Sequence, residues 1–98
     1  MTIKLVSRDT EGELLLEGRL DSTSSVETGE IFQQMSERFD RVVLNMAKLE
    51  YVSSAGLRVL LAAQKVMNRQ GSMKISHVNT DIMEAFEITG FCDILTIQ

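Results

Sequence analysis

The feature that most constrains the fold is the place near the middle of the chain where an extended segment becomes a helix. Residues 51–61 read Tyr-Val-Ser-Ser-Ala-Gly-Leu-Arg-Val-Leu-Leu, so two hydroxyls and a glycine stand at this junction. The first backbone N–H groups of a helix have no partner inside the helix, and its dipole makes that end electropositive. A serine there can cap the helix, and the same place favours a phosphate. These residues alone leave two interpretations open, a structural cap or a modifiable switch.

Strand-like segments occur before, between and after helical ones. Alternation of apolar and polar residues, with turn residues at the boundaries, is typical of half-buried strands. This pattern predicts a strand over residues 2–7, a turn over residues 9–12, and further strands over residues 13–20, 41–46, 73–78 and 93–97. The turn between the first two strands is short, so a hairpin is the simplest connection.

Three segments have the period of amphipathic helices. The first follows Ser24-Ser25-Val26-Glu27, the spacing of a capping box with Ser24 at the N-cap and Glu27 at N3. The second spans residues 55–70 before Gly71, and the third spans residues 81–89 before Gly90. Glycine directly after a helix is a common stop signal, so it supports both of these helix ends.

Strands that alternate with helices need crossover connections. The sequence therefore predicts an α/β fold with a small, mostly parallel sheet that starts with a hairpin. The crossovers are expected to be right-handed. Polar Lys74 and Ser76 alternate with apolar Met73 and Ile75, which predicts that helices cover mainly one face of the sheet. No linker, repeat or low-complexity segment interrupts residues 1–98, so we expect a single domain.

Composition and charge exclude several functions. The net charge of −4 argues against nucleic-acid binding, which usually needs a basic face. The single cysteine, Cys92, cannot form an internal disulfide, and no cysteine or histidine spacing suits zinc, so we interpret Cys92 as a small buried apolar residue. No apolar run approaches the ~20 residues that span a membrane, and the charged N-terminus is unlike a signal peptide. We predict a cytoplasmic protein without metal, cofactor or membrane insertion.

Catalytic motifs are missing from the sequence. A catalytic serine needs a base and an oxyanion hole, yet His77 is the only histidine and falls near the end of a predicted strand. The residues around Ser54 lack the first glycine of a Gly-x-Ser-x-Gly elbow and the Gly-Lys-Ser/Thr ending of a phosphate-binding loop. We therefore predict that the protein is not an enzyme. A serine hydrolase would have to react with an active-site phosphonate.

Taken together, these segments resemble a known family. The quoted residues are Gly18-Arg19-Leu20-Asp21, Val42-Val43-Leu44-Asn45-Met46, Tyr51-Val52-Ser53-Ser54-Ala55-Gly56-Leu57 and Thr89-Gly90-Phe91-Cys92-Asp93-Ile94-Leu95. In this order, and separated by the predicted helices, they resemble the STAS-domain family over nearly the whole chain. The branch they resemble most is that of the bacterial anti-sigma factor antagonists.

The resemblance implies a partner-switching mechanism. In this branch the unphosphorylated antagonist binds an anti-sigma factor that is also a serine kinase of the GHKL type, which releases the sigma factor. The kinase phosphorylates a serine at the start of the second helix of the antagonist, and a PP2C-type phosphatase removes the phosphate. The implied function of this chain is therefore that of an anti-sigma factor antagonist that phosphorylation switches off.

The resemblance also implies which residues act. The phosphorylated serine of the family falls on Ser54, with Ser53 as the alternative acceptor, and the acidic residue after the second strand falls on Asp21. The implied partner-binding surface comprises Asp21, Ser53, Ser54, Ala55, Gly56 and Arg58.

Two departures from the family pattern keep a second function open. Many members have an aspartate directly before the acceptor serine, where this chain has Ser53. Many also have a C-terminal helix after the fifth strand, which is not expected in this sequence because it stops soon after that strand. The alternative function is that of a STAS subunit that is not phosphorylated and docks on the ATPase of an ABC-type transporter.

Overall fold

A computed structural model describes all residues from Met1 to Gln98. Four strands, three helices and one short 3-10 helix follow one another along the chain. In order, they are β1 (Thr2–Arg8), β2 (Glu11–Leu20), α1 (Ser24–Arg38), β3 (Arg41–Val52), α2 (Ser54–Gln70), β4 (Ser72–Ser76), α3 (Thr80–Thr89) and the 3-10 helix (Phe91–Asp93). None of the helices combines the length and the apolar character that a membrane crossing requires.

The four strands form one sheet in the order β1-β2-β3-β4. β1 pairs with β2 in an antiparallel hairpin, whereas β2 pairs with β3 and β3 with β4 in parallel. One row across the parallel part joins Leu14, Leu44 and Ile75, and all three side chains are fully buried. This arrangement confirms the predicted α/β fold with a mostly parallel sheet that starts with a hairpin.

Helices cover one face of this sheet. The buried apolar core combines residues of β2, β3 and β4 with residues of all three helices, such as Phe32, Leu60 and Phe86. The two neighbouring rows point to the opposite face. There the Asn45 Nδ2 donates a hydrogen bond to the Glu13 carboxylate at 3.1 Å, and Lys74 is exposed. The expected one-sided cover is therefore confirmed.

The predicted fifth strand over residues 93–97 is wrong. The chain turns through the 3-10 helix, which follows Gly90 in the left-handed conformation (φ 78°). Only Ile97 then reaches the sheet, in an isolated parallel bridge to Ile75. The Ile75 N–H donates to the Thr96 carbonyl at 2.8 Å, and the Gln98 N–H donates to the Ile75 carbonyl at 2.9 Å. Residues 93–95 form helical turns, in which the Ile94 and Leu95 N–H groups donate to the Phe91 carbonyl, so they are not available for a strand.

Three other strand boundaries differ from the predictions by two residues or more, and one is the start of β2, which lies at Glu11 rather than at residue 13. β4 ends at Ser76 rather than at residue 78 because His77 has a φ of 60°, which turns the chain out of the extended conformation. β3 continues to Val52, six residues beyond the predicted end. The parallel register with β2 reaches this far through two irregularities, one of them between Gly18 and Arg19. The longer β3 brings the Ser53-Ser54 segment to the edge of the sheet.

Glycine ends α2 and α3 as predicted, but for different reasons. Gly90 follows α3 in the left-handed conformation, which is the usual conformation of a glycine stop. Gly71 follows α2 with a φ of 171°, so it is extended and not left-handed. A Cβ at Gly71 would collide with the backbone carbonyl of Asp40. Gly71 is therefore required by the close approach of two backbone segments.

Candidate functional site

The site lies where β2 and β3 end side by side. Leu20 and Val52 are paired as the last residues of these parallel strands. The Ser53 N–H donates to the Leu20 carbonyl at 2.8 Å, which extends the strand pairing by one bond. Asp21 follows β2 directly and Ser53 follows β3 directly. The structure thus places Asp21 and the Ser53-Ser54 pair at the same edge of the sheet, where α1 and α2 begin.

Ser53 is the residue that caps α2. It has an extended backbone (φ −84°, ψ 174°), and its hydroxyl oxygen accepts a hydrogen bond from the Gly56 N–H at 3.2 Å. Its carbonyl accepts the first helical bond, from the Leu57 N–H at 2.9 Å. A side-chain oxygen bonded to the N3 amide is the geometry of an N-cap. The cap interpretation therefore applies to Ser53 and not to Ser54.

Ser54 is the first residue of α2 and is exposed. No hydrogen bond within the protein holds its hydroxyl, and only its carbonyl is engaged, by the Arg58 Nε at 3.4 Å. The N–H groups of Ser54 and Ala55 precede the first helical bond, so they point towards solvent at the electropositive end of the helix. The hydroxyl thus belongs to an exposed residue at a helix start, where the field favours an anion.

Gly56 lies beneath the two serines and is buried. A Cβ there would stand 2.8 Å from the Leu20 Cγ, 2.8 Å from the Leu20 carbonyl oxygen and 3.1 Å from the Val52 Cγ1. The absence of a side chain lets α2 begin directly on the ends of β2 and β3. Because Gly56 is buried, it shapes the site without offering a contact surface of its own, while Ala55 is half-buried.

Asp21 holds the start of α1 through a reciprocal pair with Ser24. The Asp21 Oδ1 accepts hydrogen bonds from the N–H groups of Ser24 and Thr23, each at 3.1 Å, and the Ser24 hydroxyl oxygen accepts one from the Asp21 N–H at 3.0 Å. The hydrogen bond from the Ser24 amide is the main cause that lowers the pKa of Asp21, and the Thr23 amide, the Ser24 hydroxyl and the Arg19 charge lower it further.

This pair corrects the predicted capping box. In a capping box, the N-cap side chain binds the amide of the residue three positions later, and the side chain of that later residue binds the N-cap amide. Asp21 and Ser24 make these two hydrogen bonds. The predicted box between Ser24 and Glu27 is wrong by three residues, because Asp21 takes the N-cap position one turn earlier. The Ser25 N–H already donates to the Asp21 carbonyl at 2.8 Å, so the helical bonding begins there.

Two residues beside the site escaped the sequence analysis. Arg19 and Tyr51 are direct partners across β2 and β3, and the Arg19 guanidinium lies 4.2 Å from the centre of the Tyr51 ring. Both are exposed, and they form a cation–π pair next to Ser53 and Ser54. Arg19 and Tyr51 face each other only because the parallel register shifts between Gly18 and Arg19. The sequence alone did not predict this shift, so it did not predict the pair.

The other residues considered in the sequence lie apart from this edge. Ser76, the residue before His77, pairs with Asn45 on β3. Asn45 lies seven residues before Val52, so about 20 Å of strand separates the position of His77 from this edge. The half-buried Cys92 belongs to the 3-10 helix and is a free thiol. No group of three or more histidine, cysteine, aspartate or glutamate side chains is arranged to hold a metal ion.

The family model described as "Mlab, STAS domain" matches residues 3–96. The chain therefore belongs to the STAS-domain family.

Relatives of known description are similar over almost the whole chain. BtrV of Bordetella bronchiseptica, which is provisionally named an anti-sigma factor antagonist, is 34% identical over 99 residues, covering 97% of this chain and 85% of BtrV. The anti-sigma F factor antagonist of Paenibacillus polymyxa is 28% identical over 105 residues, covering 99% of this chain and 87% of that protein.

Solved structures show the same fold. The unphosphorylated anti-sigma factor antagonist SpoIIAA superposes with a TM-score of 0.84 at 13% identity, covering 99% of this chain and 88% of SpoIIAA. The Bacillus SpoIIAA structure in the phosphorylated form superposes with a TM-score of 0.78 at 13% identity, covering 99% of this chain and 91% of that one. At this level of identity the likeness concerns the fold alone.

Proposed function

We propose that this protein is an anti-sigma factor antagonist whose binding is switched off by phosphorylation of Ser54. The observation that carries the proposal is the exposed hydroxyl of Ser54 at the start of α2, which no hydrogen bond holds. The names of the relatives BtrV and the Paenibacillus antagonist support the same function. The partner is an anti-sigma factor that is also a GHKL-type serine kinase, and the protein acts in the cytoplasm without nucleic acid.

The switching step transfers one phosphoryl group. The Ser54 Oγ attacks the γ-phosphorus of ATP bound to the kinase, the hydroxyl proton passes to a base of the kinase, and ADP leaves. A PP2C-type phosphatase later hydrolyses the phosphoserine to serine and inorganic phosphate. Neither step needs a catalytic group of this chain, so its own contribution is to present the hydroxyl in an ordered, accessible position.

The position of Ser54 explains how one phosphate can change binding without unfolding the domain. The phosphate adds about −1.5 to −2 charges at a helix start, where the dipole favours an anion. Inside a docked interface the same group would be desolvated and repelled by any carboxylate of the partner. A loss of ~3–4 kcal/mol of binding energy weakens the affinity by a few hundred-fold. That change is sufficient to exchange one partner for another.

The proposed docking surface consists of the side chains around this hydroxyl. Asp21, Ser54, Ala55 and Arg58 provide it, and Ser53 and Gly56 hold it in shape from below. The Asp21 carboxylate is negatively charged at neutral pH, and the hydrogen bonds that it accepts lower its pKa further from neutrality. A kinase that binds here therefore meets a fixed negative charge beside the acceptor serine.

Incubation with the cognate kinase and ATP tests the proposal. Mass spectrometry should find one added phosphate at Ser54 in the wild type and none in the Ser54→Ala variant, while Ser53→Ala should still be modified. Ser54→Ala should retain kinase binding and Ser54→Asp should lose it. Absence of transfer to the wild-type protein would contradict the proposal, and transfer to Ser53 instead would move the acceptor by one residue.

A second candidate is the STAS subunit that docks on a transporter ATPase. The residue before Ser54 favours this candidate. Many family members have an aspartate at this position, next to the acceptor serine, whereas this chain has the uncharged Ser53 as the N-cap of α2. Co-purification with an ABC-type ATPase, together with binding that is indifferent to Ser54→Asp, would support this function over the first.

A further inference from the structure

Arg58 lies one helical turn after Ser54, and its side chain turns back towards it. The Arg58 Nε donates a hydrogen bond to the Ser54 carbonyl at 3.4 Å. Side chains of an α-helix tilt towards its N-terminus, and the Cβ atoms of residues four apart are about 5–6 Å from each other. The guanidinium is therefore within reach of any group attached to the Ser54 hydroxyl.

The stability of the unmodified helix does not explain a cation at this position. The first turn of α2 contains no acidic residue, although the dipole favours one there. The ion pairs of the structure are Arg8 with Glu13 and Lys48 with Glu17, so no carboxylate neutralises Arg58. An exposed arginine without an acidic partner thus stands beside a hydroxyl without a hydrogen bond, at the electropositive end of the helix.

We infer that Arg58 is the intramolecular ligand of the phosphate on Ser54, so that the phosphorylated protein closes an ion pair across the first turn of α2. The inference rests on the proposed phosphorylation of Ser54. The planar guanidinium can bind two phosphate oxygens at once, which a lysine cannot do. An acidic group four residues before a basic one is also the better orientation of such a pair on a helix.

This ion pair gives phosphorylation two effects on the docking surface. The phosphate adds negative charge at Ser54, and it also withdraws the Arg58 cation from any acidic group of the partner. The unmodified protein offers a free guanidinium, whereas the modified protein offers a neutralised one beside the excess charge of the phosphate. The two states therefore differ in the group that a partner meets: a free guanidinium in one, and a phosphate that engages this guanidinium in the other.

Phosphoserine placed at position 54 during translation tests the ion pair without any kinase. The ³¹P resonance is titrated in the wild type, in Arg58→Gln and in Arg69→Gln, the last being an exposed arginine at the other end of α2. We expect the second phosphate pKa to be lower in the wild type than in Arg58→Gln by about 0.3 unit, the equivalent of a helical ion pair. Arg69→Gln should titrate like the wild type, and Arg58→Lys should fall between.

The Arg58 Nε–H resonance provides a second measurement. It should shift when phosphoserine replaces serine at position 54, while the Arg69 resonance should not. Coincident ³¹P titrations of the wild type and Arg58→Gln would overturn the role of Arg58 and leave the proposed phosphorylation standing. Failure of the kinase to modify Ser54 would instead contradict the proposed function and leave the measured ion pair intact.

Discussion

Asp21 and Ser24 hold each other across the first turn of α1. The carboxylate of Asp21 accepts the Ser24 amide at 3.1 Å, and the hydroxyl of Ser24 accepts the Asp21 amide at 3.0 Å. The same hydroxyl donates to the Arg19 carbonyl at 2.7 Å, so the pair also fixes the end of β2. One side chain of the proposed docking surface therefore also orders the backbone at this edge of the sheet.

Replacement of Asp21 by alanine should loosen the start of α1. The Thr23 and Ser24 amides lose their acceptor, so the melting temperature should fall, and kinase binding should weaken as well. The matched control is Asp81→Ala, because Asp81 is also an acidic residue at a helix start but its carboxylate accepts no hydrogen bond. Thermal unfolding followed by circular dichroism measures both variants, and equal losses would contradict the special role of Asp21.

The contribution of Asp21 should depend on pH. Its pKa in the folded protein lies below the ordinary value of 3.8, chiefly because of the Ser24 amide. The contribution is therefore present above pH 3.8 and is lost as the pH falls through the lower value of the folded protein. We expect the stability difference between the wild type and Asp21→Ala to shrink as the pH falls below 3.8. Urea unfolding at several pH values measures it.

The two adjacent serines should respond differently to alanine. Ser53→Ala removes the cap of α2 and should cost about 1 kcal/mol of unfolding free energy. Ser54→Ala removes a hydroxyl without a hydrogen bond, so its effect should stay within about 0.5 kcal/mol. Chemical denaturation of both variants checks this order, and a larger loss at Ser54 would mean that the cap had been assigned to the wrong serine.

Two glycines should respond to alanine with opposite signs. Gly56→Ala places a Cβ 2.8 Å from the Leu20 carbonyl oxygen, so α2 must shift, at a cost of about 1–3 kcal/mol. Gly29→Ala, in the interior of α1, meets nothing closer than the Val59 methyls at 4.0 Å and should stabilise the protein by about 0.5–1 kcal/mol. The Gly56 variant should also lose kinase affinity, because the serines above it move.

Removal of the Gln64 side chain should release the C-terminal segment. Gln64 is buried, its Oε1 accepts from the Thr96 N–H at 3.1 Å, and its Nε2 donates to the Asn68 Oδ1 at 2.9 Å. In Gln64→Leu the exposed Thr96 amide loses its protein acceptor, which should cost about 0.5–1.5 kcal/mol, the net contribution of one hydrogen bond. Hydrogen exchange at the Thr96 amide should accelerate, while the Leu14 amide within the sheet should remain protected.

The sequence predicted the elements whose signals are local and periodic. The alternation of strands and helices predicted the mostly parallel sheet, whereas the place of Asp21 beside the two serines was implied only by the family resemblance. The capping box could not be placed correctly, because Ser24 fits both the N-cap of one box and the N3 position of another. Only the packed structure selects between them.

The failed fifth strand has a different cause. Residues 93–97 contain enough apolar residues for a strand, but Leu95 is needed to close the core and its N–H donates to the Phe91 carbonyl at 2.8 Å. Tertiary packing therefore overrides the local preference. The Arg19–Tyr51 pair could not be predicted from the sequence either. It depends on a register shift between β2 and β3 that no residue pattern indicates.

The division of roles between Ser53 and Ser54 has a kinetic consequence. Because the fold is anchored by the first hydroxyl and the second is left unengaged, an enzyme can act on the second while every structural bond stays closed. The proposed signalling cycle then needs no transient opening of the chain, so its speed does not depend on how fast the domain unfolds.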